Sequence, residues 1–404
     1  MTRTGKLLAE LIALPSVNPA FAAQDPSPPR HSGAAGSKAK FGEKNVADFL
    51  AAVAARAGLE VEFQSVLPAR SNLLARLRPR GEVRQTVLLA PHMDTVVADD
   101  AQLVPRRVNG RLHGRGACDT KGSVAAMLTA LCELAESPNR PTETEIIFVG
   151  LVDEENVQAG SRAFAKAAPR LIHHFKSNGG RRDAGSTVMA IVGEPTRLEV
   201  VTAHKGSLWL ELETRGVAAH GAMPQFGRNA IHEMARIVDW LQTEYAAGLG
   251  RRRRHPLLGR PTVNVGVIWG GKQPNIVPDR CVITIDRRTL PGESDAGVRR
   301  EIREFLRAKG LSAAIADKRL APAIPLETDH RLPLVRQFLR SAGQPKPVGV
   351  HFFCDAAVLS AGGIPSVIFG PGDVAQAHTA DEWISLAQLE RGKDLLGKFL
   401  KGLA

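Results

Sequence analysis

Four short stretches of this chain are apolar along nearly their whole length: Thr86 to Ala90 (TVLLA), Glu145 to Val152 (EIIFVGLV), Thr187 to Gly193 (TVMAIVG) and Pro365 to Gly370 (PSVIFG). They are rich in β-branched and aliphatic residues and show no apolar-polar alternation, so each reads as a strand buried on both faces. Helical periodicity lies among them, at Glu43 to Gly58 and at Gly122 to Glu136. Continuous apolar strands alternating with helices confine this part of the chain to an α/β sheet with helices on both faces.

The pattern changes in the middle. Ser207 to Gly216 and Pro261 to Gly271 alternate apolar and polar residues, as half-exposed strands do. Cys281 to Arg288 reads as a further strand, Ala296 to Gly310 as a helix and Leu311 to Leu320 as another strand. Such a set predicts a small α+β domain whose sheet keeps one face open. A chain of 404 residues exceeds the length of about 250–300 at which single cores divide, so a second domain is expected. The predicted limits are 1–205 and 321–404 for the larger domain and 206–320 for the insertion.

Composition narrows the function classes. The net charge of +12 peaks at Arg251 to His255 (RRRRH), but no aromatic residues interleave with it. It is expected to be a solvated loop, with no nucleic-acid partner. Four cysteines lack any CxxC pair, which suits reduced thiols and a cytoplasmic location. Glu10 and Pro15 interrupt the apolar positions of the N-terminus, and no run approaches the ~18 apolar residues of a membrane span, so neither a secretory leader nor a membrane partner is expected. Two segments rich in Gly, Pro, Ala or Ser, Asn18 to Gly42 and Phe175 to Ser186, read as mobile surface loops.

Five short sites carry residues of chemical interest: His92 and Asp94 in HMD, Asp119 in GRGACDTKG, Glu154 and Glu155 in VDEEN, Glu194 in GEPT, and His378 in AQAHTADEW. Singly, each is explained as a cap, a turn residue or a solvated acid. Together, two histidines and several carboxylates, with no thiolate cluster and no HExxH pair, match the ligand set of a two-metal hydrolytic site. His232 in HEMAR lacks the second histidine of a metal-binding helix. A dinuclear site needs a bridging carboxylate, and Asp119 suits it because Gly114, Gly116 and Gly122 let the backbone bend around it. Asp94 can hold the second ring nitrogen of His92. The adjacent Glu154 and Glu155 can divide the roles of base and ligand.

The motifs APHMDTV, GRGACDTKG, DEEN, GEPT, AHGAMPQFGRNAI, GGKQPNIVPDRC, DRRTLPGE and FGPGDVAQAHTADEW occur here in the order seen in the co-catalytic zinc aminoacylase and carboxypeptidase family. The chain resembles that family over nearly its whole length. The resemblance implies a phosphorylase/hydrolase-like zinc-peptidase catalytic domain with a mixed, mainly parallel sheet, and an inserted, ferredoxin-like lid that also forms a homodimer. It implies two Zn2+ ions, replaceable by Co2+ or Mn2+: His92 and Glu194 on one, Glu155 and His378 on the other, and Asp119 between them. Asp94 would orient His92, and Glu154 would act as general base and acid. His220 would stabilise the oxyanion, while Asn275 and Arg288 would bind the substrate carboxylate. Cys118, before the bridging aspartate, and the long insertion after Asn18 depart from the family pattern without touching the ligand set.

The implied substrate is a small N-acyl amino acid. Glu194 in GEPT and the ending AQAHTADEW are similar to the acetylornithine deacetylase branch, so N-acetylornithine is the expected substrate. Succinyl-diaminopimelate or a dipeptide is the alternative within the family. A non-catalytic binding protein of the same fold is the alternative outside it, disfavoured because every metal ligand and Glu154 are present.

Overall fold

A mixed sheet organises the larger of two units. The computed structural model describes residues 1–24, 40–172 and 188–404. The first unit comprises Met1–Thr202, Thr328–Val348 and Cys354–Ala404, and the second comprises Ala203–Glu327 and Gly349–Phe353. In the first, the strands lie in the order Glu60–Leu67, Arg70–Leu77, Thr144–Gly150, Gln85–Pro91, Val188–Gly193 and Ser366–Ile368. The two outer pairings, through Arg70–Leu77, are antiparallel, and the pairings among the last four strands are parallel.

The central strands are apolar throughout because both faces are covered. Val87 and Leu89 face one core and Leu88 is equally buried. On the first side lies the helix Lys121–Ala135, in which every residue except Glu133 is buried. It packs against the helices Arg3–Ala13 and Leu386–Lys401, and a helix buried all round needs no polar face. Helices Ala159–Leu171 and Asp355–Ala361 also pack on the sheet and on each other. In this unit the expected strands and helices are present, with ends displaced by one or two residues. The fold class is α/β, as the apolar runs require.

The second unit has the element order strand, helix, strand, strand, helix, strand. Its antiparallel sheet runs Thr262–Gly270, Arg280–Thr289, Gly206–Arg215, Ala314–Asp317, and this arrangement is ferredoxin-like. Helices Ala230–Trp240 and Asp295–Ala308 cover one face through Met234, Ile237, Val298, Ile302 and Leu306. The other face is open, with Trp209 on it 39% exposed. Gly349–Phe353 joins this unit through its main chain. The Lys205 N–H donates to Val350 O at 3.3 Å, and Arg288 Nη1 donates to His351 O at 3.3 Å.

Arg251, Arg253 and Arg254 are exposed, but Arg252 departs from the solvated-loop expectation. Its guanidinium pairs with Glu293 at 2.7 Å and with Glu301, so the run is anchored at one point. All four cysteines are buried and free. Most of the two Gly- and Pro-containing segments falls outside the described residues. Among the described residues, no helix is long and apolar enough to cross a membrane.

Leu131 is fully buried in the Lys121–Ala135 helix. Leu131→Ala should cost about 2–5 kcal/mol of unfolding free energy in urea titration; a loss below about 1 kcal/mol would show that this helix is not tightly packed.

Candidate metal centre

Gln85–Pro91, Thr144–Gly150 and Val188–Gly193 are parallel and in register, so their carboxyl ends open on one side. In open α/β sheets that edge collects ligands. His92 and Asp94 follow the first of these strands, Glu154 and Glu155 the second and Glu194 the third. Asp119 precedes the Lys121–Ala135 helix, at a cis peptide bond to Thr120. The chain reaches it through Gly116, whose φ of +79° and close approach to Lys121 and Thr95 leave no room for a side chain. His378 lies in the loop after Ser366–Ile368.

These residues converge. His92 Nε2 is 3.1 Å from Asp119 Oδ1 and 3.9 Å from Glu194 Oε1. His378 Nε2 is 3.2 Å from Glu155 and 3.3 Å from Asp119 Oδ2. Each trio, His92 with Asp119 and Glu194, and Glu155 with Asp119 and His378, brings one donor atom per residue within 4.8 Å of the others. Asp119 belongs to both, offering a different oxygen to each imidazole.

Asp94 holds this arrangement from beneath. Its Oδ1 lies 3.4 Å from His92 Nδ1, and its backbone carbonyl lies 3.0 Å from the same nitrogen. Its carboxylate also accepts the N–H groups of Glu154 and Glu155, each at 3.1 Å, and Asn18 Nδ2 at 2.7 Å. An imidazole fixed at Nδ1 presents Nε2 to the centre.

The electrostatics are those of crowded buried acids. Burial pushes the Glu154 and Glu194 carboxyls well above the usual range, and burial with the Asp119 charge raises Glu155. Burial opposes ionisation of Asp119 too, but hydrogen bonds from His378 and His92 hold it below the usual range. His378, donating to Asp119 and Glu155, is raised to about 10 by those two hydrogen bonds. Excess buried negative charge of this kind is offset by cations, and a donor set of imidazole nitrogen and carboxylate oxygen without thiolate fits zinc, cobalt or manganese. The residues therefore fit two divalent ions. No side chain among the described residues hydrogen-bonds the Glu154 carboxylate, which leaves it free to handle a proton.

Of the other residues singled out from sequence, Cys118 lies in the first unit and His220, His232, Asn275 and Arg288 lie in the second. His220 and Asn275 come together there: Gly221 N–H donates to Asn275 O at 2.8 Å, and Ala222 N–H donates to His220 Nδ1 at 3.1 Å. Arg288 Nε donates to Asp286 at 2.9 Å. His232 lies on the Ala230–Trp240 helix, outside both donor groups. Cys118 is buried, its thiol pushed up by that burial, and it donates to Asp373 O at 3.3 Å.

Sequence reasoning did not reach Asn18 or Glu382. Asn18 opens a low-complexity segment, yet it ties Asp94 to Asp153 Oδ1 at 3.0 Å. Glu382 stands beside the exposed Asp381, and no local pattern says which of the two acids turns inward. Lys121 was equally hidden. It is buried, donates to Leu11 O at 2.9 Å and Leu14 O at 2.7 Å, and is lowered to about 7 by burial.

The chain is similar to known proteins in sequence and in fold. Residues 88–402 match the family described as peptidase family M20/M25/M40. Acetylornithine deacetylase from Myxococcus xanthus is 31% identical over 367 residues, spanning 87% of this chain and 90% of that protein. Acetylornithine deacetylase from Yersinia pestis is 29% identical over 412 residues, spanning 98% and 96%. Among solved structures, the M20 family metallo-carboxypeptidase Sso-CP2 from Sulfolobus solfataricus superposes with a TM-score of 0.72 at 18% identity, covering 99% of both chains. The Bacillus subtilis YXEP protein, described as a dinuclear metal binding peptidase, gives 0.65 at 14% identity, covering 99% of this chain and 97% of its own. With the family match extending over most of its length, the chain belongs to peptidase family M20/M25/M40 and is a hydrolase of amide bonds.

Proposed function

We propose that the chain removes the acyl group from an N-acyl amino acid, with N-acetylornithine as substrate and ornithine and acetate as products. The observation that carries this reading is the pair of donor groups joined at Asp119, with Glu154 beside them and uncommitted. The choice of substrate is supported by the deacetylase relatives.

In this reading His92 and Glu194 hold one zinc ion, Glu155 and His378 the other, and Asp119 lies between them. Two bound ions would acidify the attacking water and polarise the scissile carbonyl. Glu154 takes the proton from that water and passes it to the departing amine. A carboxylate beside the ions but bound to neither can accept a proton and return it. Asp94 keeps His92 in the required orientation. His220 contributes a donor to the oxyanion, and Asn275 and Arg288 hold the substrate's carboxylate, for which an arginine fork is the natural partner.

The chain also acts as a homodimer in this reading. Thr262–Gly270 is an edge strand, and its Val267, Ile268 and Trp269 are 58%, 57% and 59% exposed. An edge of this kind is a template for pairing, and a second copy would cover it. Ile268→Asp should shift the zinc-loaded chain to a monomer in light scattering; a wild-type chain that is already monomeric at micromolar concentration would refute the dimer.

The substrate assay compares N-acetylornithine, N-succinyl-diaminopimelate and short dipeptides on zinc-loaded protein. Turnover of N-acetylornithine supports the proposal, whereas its absence beside turnover of another compound moves the substrate elsewhere in the family. Glu154→Gln should keep both ions and lose about 10²–10⁴-fold in kcat. Loss of zinc in that variant would instead make Glu154 a ligand. His220→Ala should lower kcat with metal content unchanged, and full activity would return His220 to an ordinary loop residue.

A further inference from the structure

The loop carrying Asp119 wraps its backbone around one side chain. Glu382 is 2% exposed. Its Oε1 accepts the N–H groups of Cys118 at 2.8 Å and Asp119 at 2.9 Å. Its Oε2 accepts the Gly116 N–H at 2.9 Å and Arg115 Nη1 at 2.8 Å. Successive peptide N–H groups turned inward form a cradle for an anion, and here the anion is supplied by the chain itself.

The same carboxylate reaches the loop of His378. Arg115, after binding Glu382, donates to Thr379 O at 3.1 Å and to Val97 O at 3.0 Å. Thr379 is the residue after His378. One buried carboxylate thus joins the segments bearing Asp119 and His378, which are far apart in sequence. Four charge-assisted donors satisfy it, so it is held in place.

The backbone around Glu382 has a separate anchor. Trp383 and Ile384 pair with His113 and Leu112, and the Gly114 N–H donates to Glu382 O at 3.0 Å. Removing the carboxylate therefore frees the Asp119 loop without unpairing these strands. Asp381 provides the contrast, since its side chain is 71% exposed and contacts His113 Nδ1 at 3.1 Å.

We infer that Glu382 is a positioning residue, whose carboxylate sets Asp119 and His378 at the spacing that two metal ions require. This rests on the dinuclear reading proposed above. Asp119 serves both donor groups, but His378 serves one, so the ion held by Asp119, Glu155 and His378 should suffer first.

The test is zinc titration of the full chain against a competing chelator, with bound metal counted after gel filtration and folding checked by circular dichroism. Glu382→Gln should bind its weaker ion about ten- to one-hundredfold less tightly than wild type, and should hold one ion where wild type holds two. Asp381→Asn should match wild type. Glu382→Asp keeps the charge but is too short to reach all four donors, so it should lose affinity to a smaller degree; this variant decides the question if Glu382→Gln does not fold. Affinity within twofold of wild type in a folded Glu382→Gln or Glu382→Asp chain would overturn the inference and leave the dinuclear reading standing. A wild-type chain that does not take up two ions would overturn the reading beneath it.

Discussion

The shared carboxylate of Asp119 is the interaction on which the site depends. It lies 3.1 Å from the Nε2 of His92 and 3.3 Å from that of His378. Each contact completes a donor group with a buried glutamate. The fold brings those glutamates to one edge by running three strands parallel, a placement that is costly while their charges go uncompensated. Burial, with the charges of neighbouring acids, raises Glu154 and Glu194 well above the ordinary carboxylate range. A pair of divalent cations would offset those charges, and in the proposed reading Glu154 stays outside both donor groups to handle the proton.

The centre is held by carboxylates that are not themselves in either donor group. Asp94 receives donors from Asn18, Glu154 and Glu155 while steadying His92. It therefore links the start of the chain to the ends of two strands. Glu382 does the corresponding work for Asp119 and His378. Rigid supports of this sort keep ligand atoms at a fixed separation, whereas loops alone would let them drift.

Much of this was legible in the sequence, for definite reasons. Thr86 to Ala90 and Thr187 to Gly193 are apolar at every exposed opportunity, which only a strand covered on both faces tolerates. The polar residues that end such runs then fall at the carboxyl edge of the sheet. His92 with Asp94 is ambiguous by itself, because a strand-end turn uses the same residue types; the later carboxylates and His378 favour the reading of His92 as a ligand. The supports were not legible, since Asp381 and Glu382 are neighbouring acids with opposite fates set by tertiary hydrogen bonds. Gly349–Phe353 likewise joins the second unit through main-chain contacts that no side-chain pattern announces.

The central claim is a dinuclear metal centre built on Asp119, and counting bound metal tests it most directly. Purified full-length chain, loaded gently with zinc and freed of excess by gel filtration, should carry two ions per chain by mass spectrometry of the metal. A plateau at one ion or fewer would contradict it.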